Sequence, residues 1–151
     1  MKGHYRPFKY EDIEPIASQM CEADATEVML SDGQTPLEAL TKSCEMSAEA
    51  FTIVSPEGEL LGMFGLSYID DHVGSPWMLT TGKLSNYSMQ FLRESRRWVT
   101  TANNQRSLLL NYVHVDNTNA INWLRFLGFK FIREVTYGVG QAPFYEFVRI
   151  K

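Results

Sequence analysis

Short apolar runs alternate along the chain with amphipathic stretches, and Gly and Pro fall singly between them, as turns inside one domain do. A short extended segment is expected around Tyr5 to Phe8. A first helix should begin near Glu11 or Asp12, where Glu11, Asp12 and Glu14 suit the positive end of a helix dipole and Pro15 blurs the start. Thr35-Pro36-Leu37-Glu38 is a clearer signal, with a threonine to cap, a proline at the first helical position and a glutamate to close a capping box. The second helix runs from there to about Met46. Ala50 to Ser55 and Leu60 to Ile69 then read as two strands joined by the turn Pro56-Glu57-Gly58-Glu59.

A third run, Trp77 to Thr81, passes Gly82 into a long helix with apolar positions at Phe91, Leu92, Trp98, Val99 and Ala102. Leu108 to Val115 is nearly unbroken in apolar residues, as expected of an inner strand covered on both faces. Strand, helix and strand make a βαβ unit, so these two strands are expected to be parallel. Ala120, Ile121, Leu124 and Leu127 form the face of a short helix stopped by Gly128, and Phe129 to Val135 and Phe144 to Ile150 close the chain as strands. The predicted order is β-α-α-β-β-β-α-β-α-β-β, a mixed central sheet in a single α/β (α+β) domain over residues 1–151.

Composition narrows the function classes. With 151 residues, 44% hydrophobic and 21% charged, one core can form without a disulfide or a metal. Fourteen Lys+Arg against eighteen Asp+Glu leave a charge of −4, the wrong sign for broad nucleic-acid binding. Cys21 and Cys44 match no metal or redox spacing and fit a reducing, cytoplasmic compartment. No stretch approaches the ~18 apolar residues of a membrane span. The edge strands of such a sheet offer a route to a homodimer, though no residue requires one.

The element order, with Val113-His114-Val115-Asp116-Asn117-Thr118-Asn119-Ala120 leading into Leu127-Gly128-Phe129, resembles the GCN5-related N-acetyltransferase (GNAT) superfamily over almost the whole chain. Glu59-Leu60-Leu61-Gly62 looks like the hairpin of that family's second and third strands, and Arg6-Pro7 followed by Asp12 looks like its opening. The resemblance implies that the fourth and fifth strands splay and that acetyl-coenzyme A or another acyl-coenzyme A lies between them, serving an N-acyltransferase with a small-molecule or protein amine as acceptor. It implies cofactor contacts from Leu79 and Thr80, from Gly82, Lys83, Ser85 and Asn86 with Ser88 as a further hydroxyl, and from Asn117 and Trp123. Amides at the start of the long helix would hold the pyrophosphate.

Two departures stand out. The family's Arg/Gln-x-x-Gly-x-Gly/Ala pattern is missing from Thr80 to Ser88, where Tyr87 takes the place of a small residue. Leu124 occupies the position of the family's acid tyrosine. The acid's role then passes to Tyr112, Tyr87, a water or no group at all, and the base is sought at His114 or in Asp70-Asp71-His72. Each candidate also has a plain reading: Asn117 as a helix cap, His114 as a core histidine, Asp70 to His72 as loop charges, Arg93, Arg96 and Arg97 as a solvated face, Trp98 as core.

Asn111-Tyr112-Val113, Asn117-Thr118 and Phe126-Leu127-Gly128-Phe129 are similar to words in small phage-encoded members, including internal virion proteins of short-tailed bacteriophages. That likeness implies a host cytoplasm and a virion or host protein as partner. It leaves open a non-catalytic alternative that keeps the scaffold as an internal virion, assembly or host-binding protein.

Overall fold

The computed structural model describes residues 4–151, the side chain of residue 88 excepted. The sequence candidate Ser88 is therefore placed only by its backbone, at the start of a helix. The elements are β1 (His4–Pro7), α1 (Ile13–Ser18), α2 (Glu22–Asp32), α3 (Pro36–Met46), β2 (Glu49–Val54), β3 (Leu60–Tyr68), β4 (Val73–Thr80), α4 (Ser88–Gln105), β5 (Leu108–His114), α5 (Thr118–Phe126), β6 (Lys130–Tyr137) and β7 (Ala142–Ile150). The single α+β domain follows the expected order with one correction. The first helical region is two helices, broken at Gln19 to Cys21, where Met20 bridges to Thr81 and the Cys21 amide donates to the Thr80 carbonyl. Tertiary hydrogen bonding interrupts a stretch that local propensity alone would continue.

One seven-stranded sheet in the order β1-β2-β3-β4-β5-β7-β6 divides the molecule into two apolar layers. Ile53, Phe64, Trp98, Val99, Leu109 and Phe147 belong to the layer under α4 and α5. Ile16, Leu40, Cys44 and Met63 belong to the layer under α1 and α3. Leu61 to Leu66 are buried throughout, as an inner strand covered on both faces must be. Burial pushes the Cys44 thiol up to about 12, so it behaves as a small hydrophobe.

β1 is fastened at Asp12. Its carboxylate accepts both Arg6 guanidinium nitrogens at 2.9 and 3.0 Å, the Lys9 amide at 2.9 Å and the Thr52 hydroxyl at 2.7 Å. Burial alone would raise this carboxyl; the Arg6, Lys9 and Thr52 bonds outweigh it and hold the group below its ordinary value. At α3 the capping box is complete, with the Glu38 amide donating to Thr35 Oγ1 and the Thr35 amide to Glu38 Oε1. Thr35→Ala is expected to cost about 1 kcal/mol in urea unfolding, since one helix-end donor loses its acceptor.

The β6–β7 turn fixes α2. Gly138 adopts φ +79°, and a Cβ there would lie 2.5 Å from the Ser31 Cα, so only glycine lets the turn come this close. The amides of Val139 and Gly140 then donate to the carbonyls of Ser31 and Leu30, satisfying the open end of α2.

Candidate active site

β4 and β5 are parallel, but their pairing stops after Val73↔Leu108 and Gly74↔Leu109. Beyond that point the strands part. Pro76 contributes to this, because its ring carries no N–H for the ladder and its carbonyl is taken by Asn111 Nδ2 at 2.6 Å. The Asn111 side chain thus stands in for a backbone partner at the root of the wedge. The gap opens into a cavity of about 760 Å³ lined by β4, β5, α2, α4 and α5.

Parted strands leave unpaired amides and carbonyls, which cannot stay buried without partners. Here α2 supplies them. The Asp24 carboxylate accepts the Thr80 amide at 2.9 Å and its hydroxyl at 3.2 Å on the β4 side. Glu27 Oε1 accepts the His114 amide at 2.7 Å on the β5 side. Asn117 Nδ2 bridges the two carboxylates, at 3.0 Å to Asp24 and 3.3 Å to Glu27. Asp24, Glu27, Thr80 and Asn117 all line the cavity.

The environments of the two carboxylates differ. Burial pushes the Glu27 carboxyl up to about 7, Asp24 adds to the rise, and the bonds from His114 and Asn117 offset part of it. A group that exchanges protons near neutral pH, at the wall of a cavity, can serve as a general base. Neither Asp24 nor Glu27 stood out in the sequence, where carboxylates on a short helix read as a solvated face.

The sequence candidates fall into two groups. Leu79, Thr80, Gly82, Ser85, Asn117, Trp123 and Tyr112 line the cavity. Lys83 and Asn86 are not among its lining residues, and Lys83 Nζ instead pairs with Glu59 at 3.0 Å on the surface. Tyr87, an acid candidate, is not among the lining residues either; its hydroxyl donates to Glu57 at 3.0 Å in the β2–β3 turn. Tyr112 stacks on Tyr137 at 4.2 Å, and its hydroxyl proton is committed to Glu146 at 2.7 Å, a bond that raises the phenol and weakens it as an acid.

His114 is buried on β5 outside the cavity lining, its ring packed edge-on against Phe144 at 5.3 Å. Its contribution to the wedge is the backbone amide given to Glu27. Asn117 is the N-cap of α5 by position, yet its side chain makes no capping bond and points to α2 instead. Asp70 closes a local turn by accepting the His72 and Val73 amides, at 2.7 and 2.8 Å. Arg96 lies over the Phe126 ring at 4.1 Å.

At the start of α4 the missing glycines are replaced by a 3₁₀ segment over Gly82–Tyr87. Its first amides are used internally, Lys83 to Thr81 Oγ1 and Leu84 to the Thr81 carbonyl. The first turn of α4 carries no acidic residue, and its N-cap, Tyr87, makes no side-chain bond to it. Those features suit an anion at the helix N-terminus.

Solved structures with a similar fold are known. An acetyltransferase of the GNAT family from Bacillus anthracis superposes with a TM-score of 0.72 at 13% identity, covering 99% of this chain and 95% of that one. A GCN5-related N-acetyltransferase from Kribbella flavida gives 0.71 at 15% identity, over 99% and 98%. A spermidine N-acetyltransferase from Vibrio cholerae, in complex with CoA and spermine, gives 0.70 at 14% identity, over 99% and 95%. The chain has the GNAT fold. No family model matches the sequence, and no curated protein does. Within the GNAT fold, the parted β4 and β5 are where the sequence resemblance expected them. Among the described residues, no helix is long and apolar enough to cross a membrane, and no group of three His, Cys, Asp or Glu could hold a metal ion.

Proposed function

We propose that this protein is an acyl-coenzyme A dependent N-acyltransferase whose acceptor is a cationic amine, with Glu27 as its general base. The observation that carries the reading is the 760 Å³ cavity between β4 and β5 with the raised Glu27 carboxyl in its wall. The residues present suit the slender arm of coenzyme A: Thr80, Ser85, Asn117 and Trp123 offer polar and aromatic contacts along the cavity, and the start of α4 suits the pyrophosphate.

A bound acyl-coenzyme A would supply an acyl group activated as a thioester, whose carbonyl carbon bonds to the amine nitrogen as its bond to sulfur breaks. The reacting nitrogen attacks as a neutral amine, having left its ammonium proton to solvent; Glu27 takes the proton it sheds on forming the amide, and solvent at the mouth returns one to the departing sulfur. Asp24, bonded to Thr80 and Asn117, keeps its place beside Glu27 as a fixed acceptor. Asp24, Glu27 and Asp32 line the same cavity, so a positively charged acceptor is drawn in. The Vibrio cholerae neighbour, solved with spermine, supports an amine of this kind.

Calorimetry with coenzyme A and acetyl-coenzyme A, followed by thiol release with spermine as acceptor, tests the reading. Saturating ligand at a hundred times its Kd should stabilise the fold by about 2.7 kcal/mol. No heat, no stabilisation at millimolar ligand and no thiol release would overturn it.

A further inference from the structure

The cavity does not end at the strand edges. Its lining includes Phe64, Trp98, Val99, Val113, Phe129 and Phe147, residues of the apolar layer under α4 and α5 that are each under 10% exposed. The cavity therefore reaches into the principal core. An apolar void of this kind forgoes packing contacts on one side of every ring that borders it, which is costly unless something fills it.

A second observation lies in the same place. Trp98 is 9% exposed and lines the cavity, and its indole Nε1–H is the buried side-chain polar atom without a hydrogen-bond partner among the described residues. The indole packs nearly perpendicular to the Phe64 ring, with centroids 4.9 Å apart. By contrast, Trp77 Nε1 donates to Ser47 at 2.7 Å. Buried indole donors ordinarily find acceptors, and an unmet one at a cavity wall is a place for a ligand oxygen.

In the reading above the coenzyme arm lies along the polar wedge of Thr80, Asn111 and Asn117, and an acetyl group carries no chain to extend from there into the aromatic lobe. We infer that the acyl group is of medium length, an apolar chain that fills this lobe and carries an oxygen that accepts the hydrogen bond from Trp98 Nε1–H. The inference rests on the acyltransferase reading above and adds the class of acyl donor. One occupant removes both costs: the chain restores contacts to Phe64, Val99 and Phe129, and its oxygen satisfies the indole.

The test compares binding of coenzyme A, acetyl-coenzyme A, octanoyl-coenzyme A and 3-oxooctanoyl-coenzyme A to the intact chain by calorimetry. Six added methylenes should tighten octanoyl over acetyl binding at least about thirtyfold, and the 3-oxo group should add roughly a further fivefold. In ¹H–¹⁵N spectra the Trp98 indole resonance should move downfield with the 3-oxo ligand and not with octanoyl-coenzyme A. Trp98→Phe keeps an aromatic ring without the N–H and should abolish the preference for the 3-oxo ligand over octanoyl-coenzyme A. Acetyl- and octanoyl-coenzyme A binding within threefold of each other, or a 3-oxo preference that survives Trp98→Phe, would overturn the inference while leaving the acyltransferase reading intact. Failure of every ligand, coenzyme A included, overturns both. The chain-length comparison uses the unaltered protein, so it does not depend on how the variant folds.

Discussion

Glu27→Gln is expected to lower kcat/KM for spermine by about a hundredfold to ten-thousandfold, the range lost when a positioned general base is removed. The pH profile separates this role from a structural one. With the carboxyl pushed up to about 7, the activity of the unaltered protein should fall on the acid side of pH 7 as Glu27 takes up a proton. The variant should lose that limb and keep a flat residual rate. Stability should move the other way. A carboxyl whose folded value lies above its unfolded one favours folding below about 4.5, and this contribution is lost as pH rises through about 7. Glutamine retains an acceptor for the His114 amide and removes the buried charge. It should therefore leave stability unchanged near pH 4 and raise it by about 1–2 kcal/mol at pH 8–9, in urea unfolding. An acid limb that persists in Glu27→Gln would assign the base elsewhere.

Much of this architecture is written locally. The unbroken apolar run of Leu108 to Val115 identifies an inner strand, the Thr35 to Glu38 box marks a helix start, and the helix between the Trp77 and Leu108 runs forces a parallel pair. The departures are also local: Leu124 and the glycine-poor 82–88 stretch are visible without coordinates. What escaped the sequence is long-range. Asp24 and Glu27 sit 56 and 87 residues from the backbone groups they satisfy at Thr80 and His114, and nothing in a helical pattern says that two of its carboxylates will face an open sheet. The acidic run of α2 ending at Asp32-Gly33 was the available trace, together with the left-handed stop that Gly33 provides.

Asn117 illustrates the same limit. At a strand-to-helix junction an asparagine is expected to cap, and its position is indeed the N-cap of α5, but two carboxylates from α2 compete for its amide and win. The words Asn111-Tyr112-Val113 and Asn117-Thr118, which resembled phage-encoded proteins, have uses in the wedge itself. Asn111 holds the Pro76 carbonyl, Tyr112 reaches Glu146 and Asn117 ties the carboxylates. They describe how this sheet is held apart more directly than they describe where the chain comes from.

Asp24→Ala is expected to destabilise the fold by about 3 kcal/mol, lowering Tm by roughly 6–12 °C for a chain of this size. Asp24 is 6% exposed and accepts the Thr80 amide, the Thr80 hydroxyl and the Asn117 amide group. Truncation leaves the Thr80 amide as a buried donor without an acceptor, at about 1–3 kcal/mol, and strips Asn117 of the shorter of its two bonds while the one to Glu27 at 3.3 Å remains, less what water entering the wedge restores. Asp24→Asn keeps one acceptor oxygen and should cost about half as much. Thr80→Val, which removes only the hydroxyl, should cost about 1 kcal/mol. The ordering of these three losses matters more than any one of them, because it reports how the open sheet is maintained. A splayed pair of strands forfeits its ladder bonds, and in this protein carboxylates from α2 replace them. The residues that keep the cavity open are thus also residues that keep the chain folded. A loss below 1 kcal/mol for Asp24→Ala would mean that water, and not α2, satisfies the edge of β4.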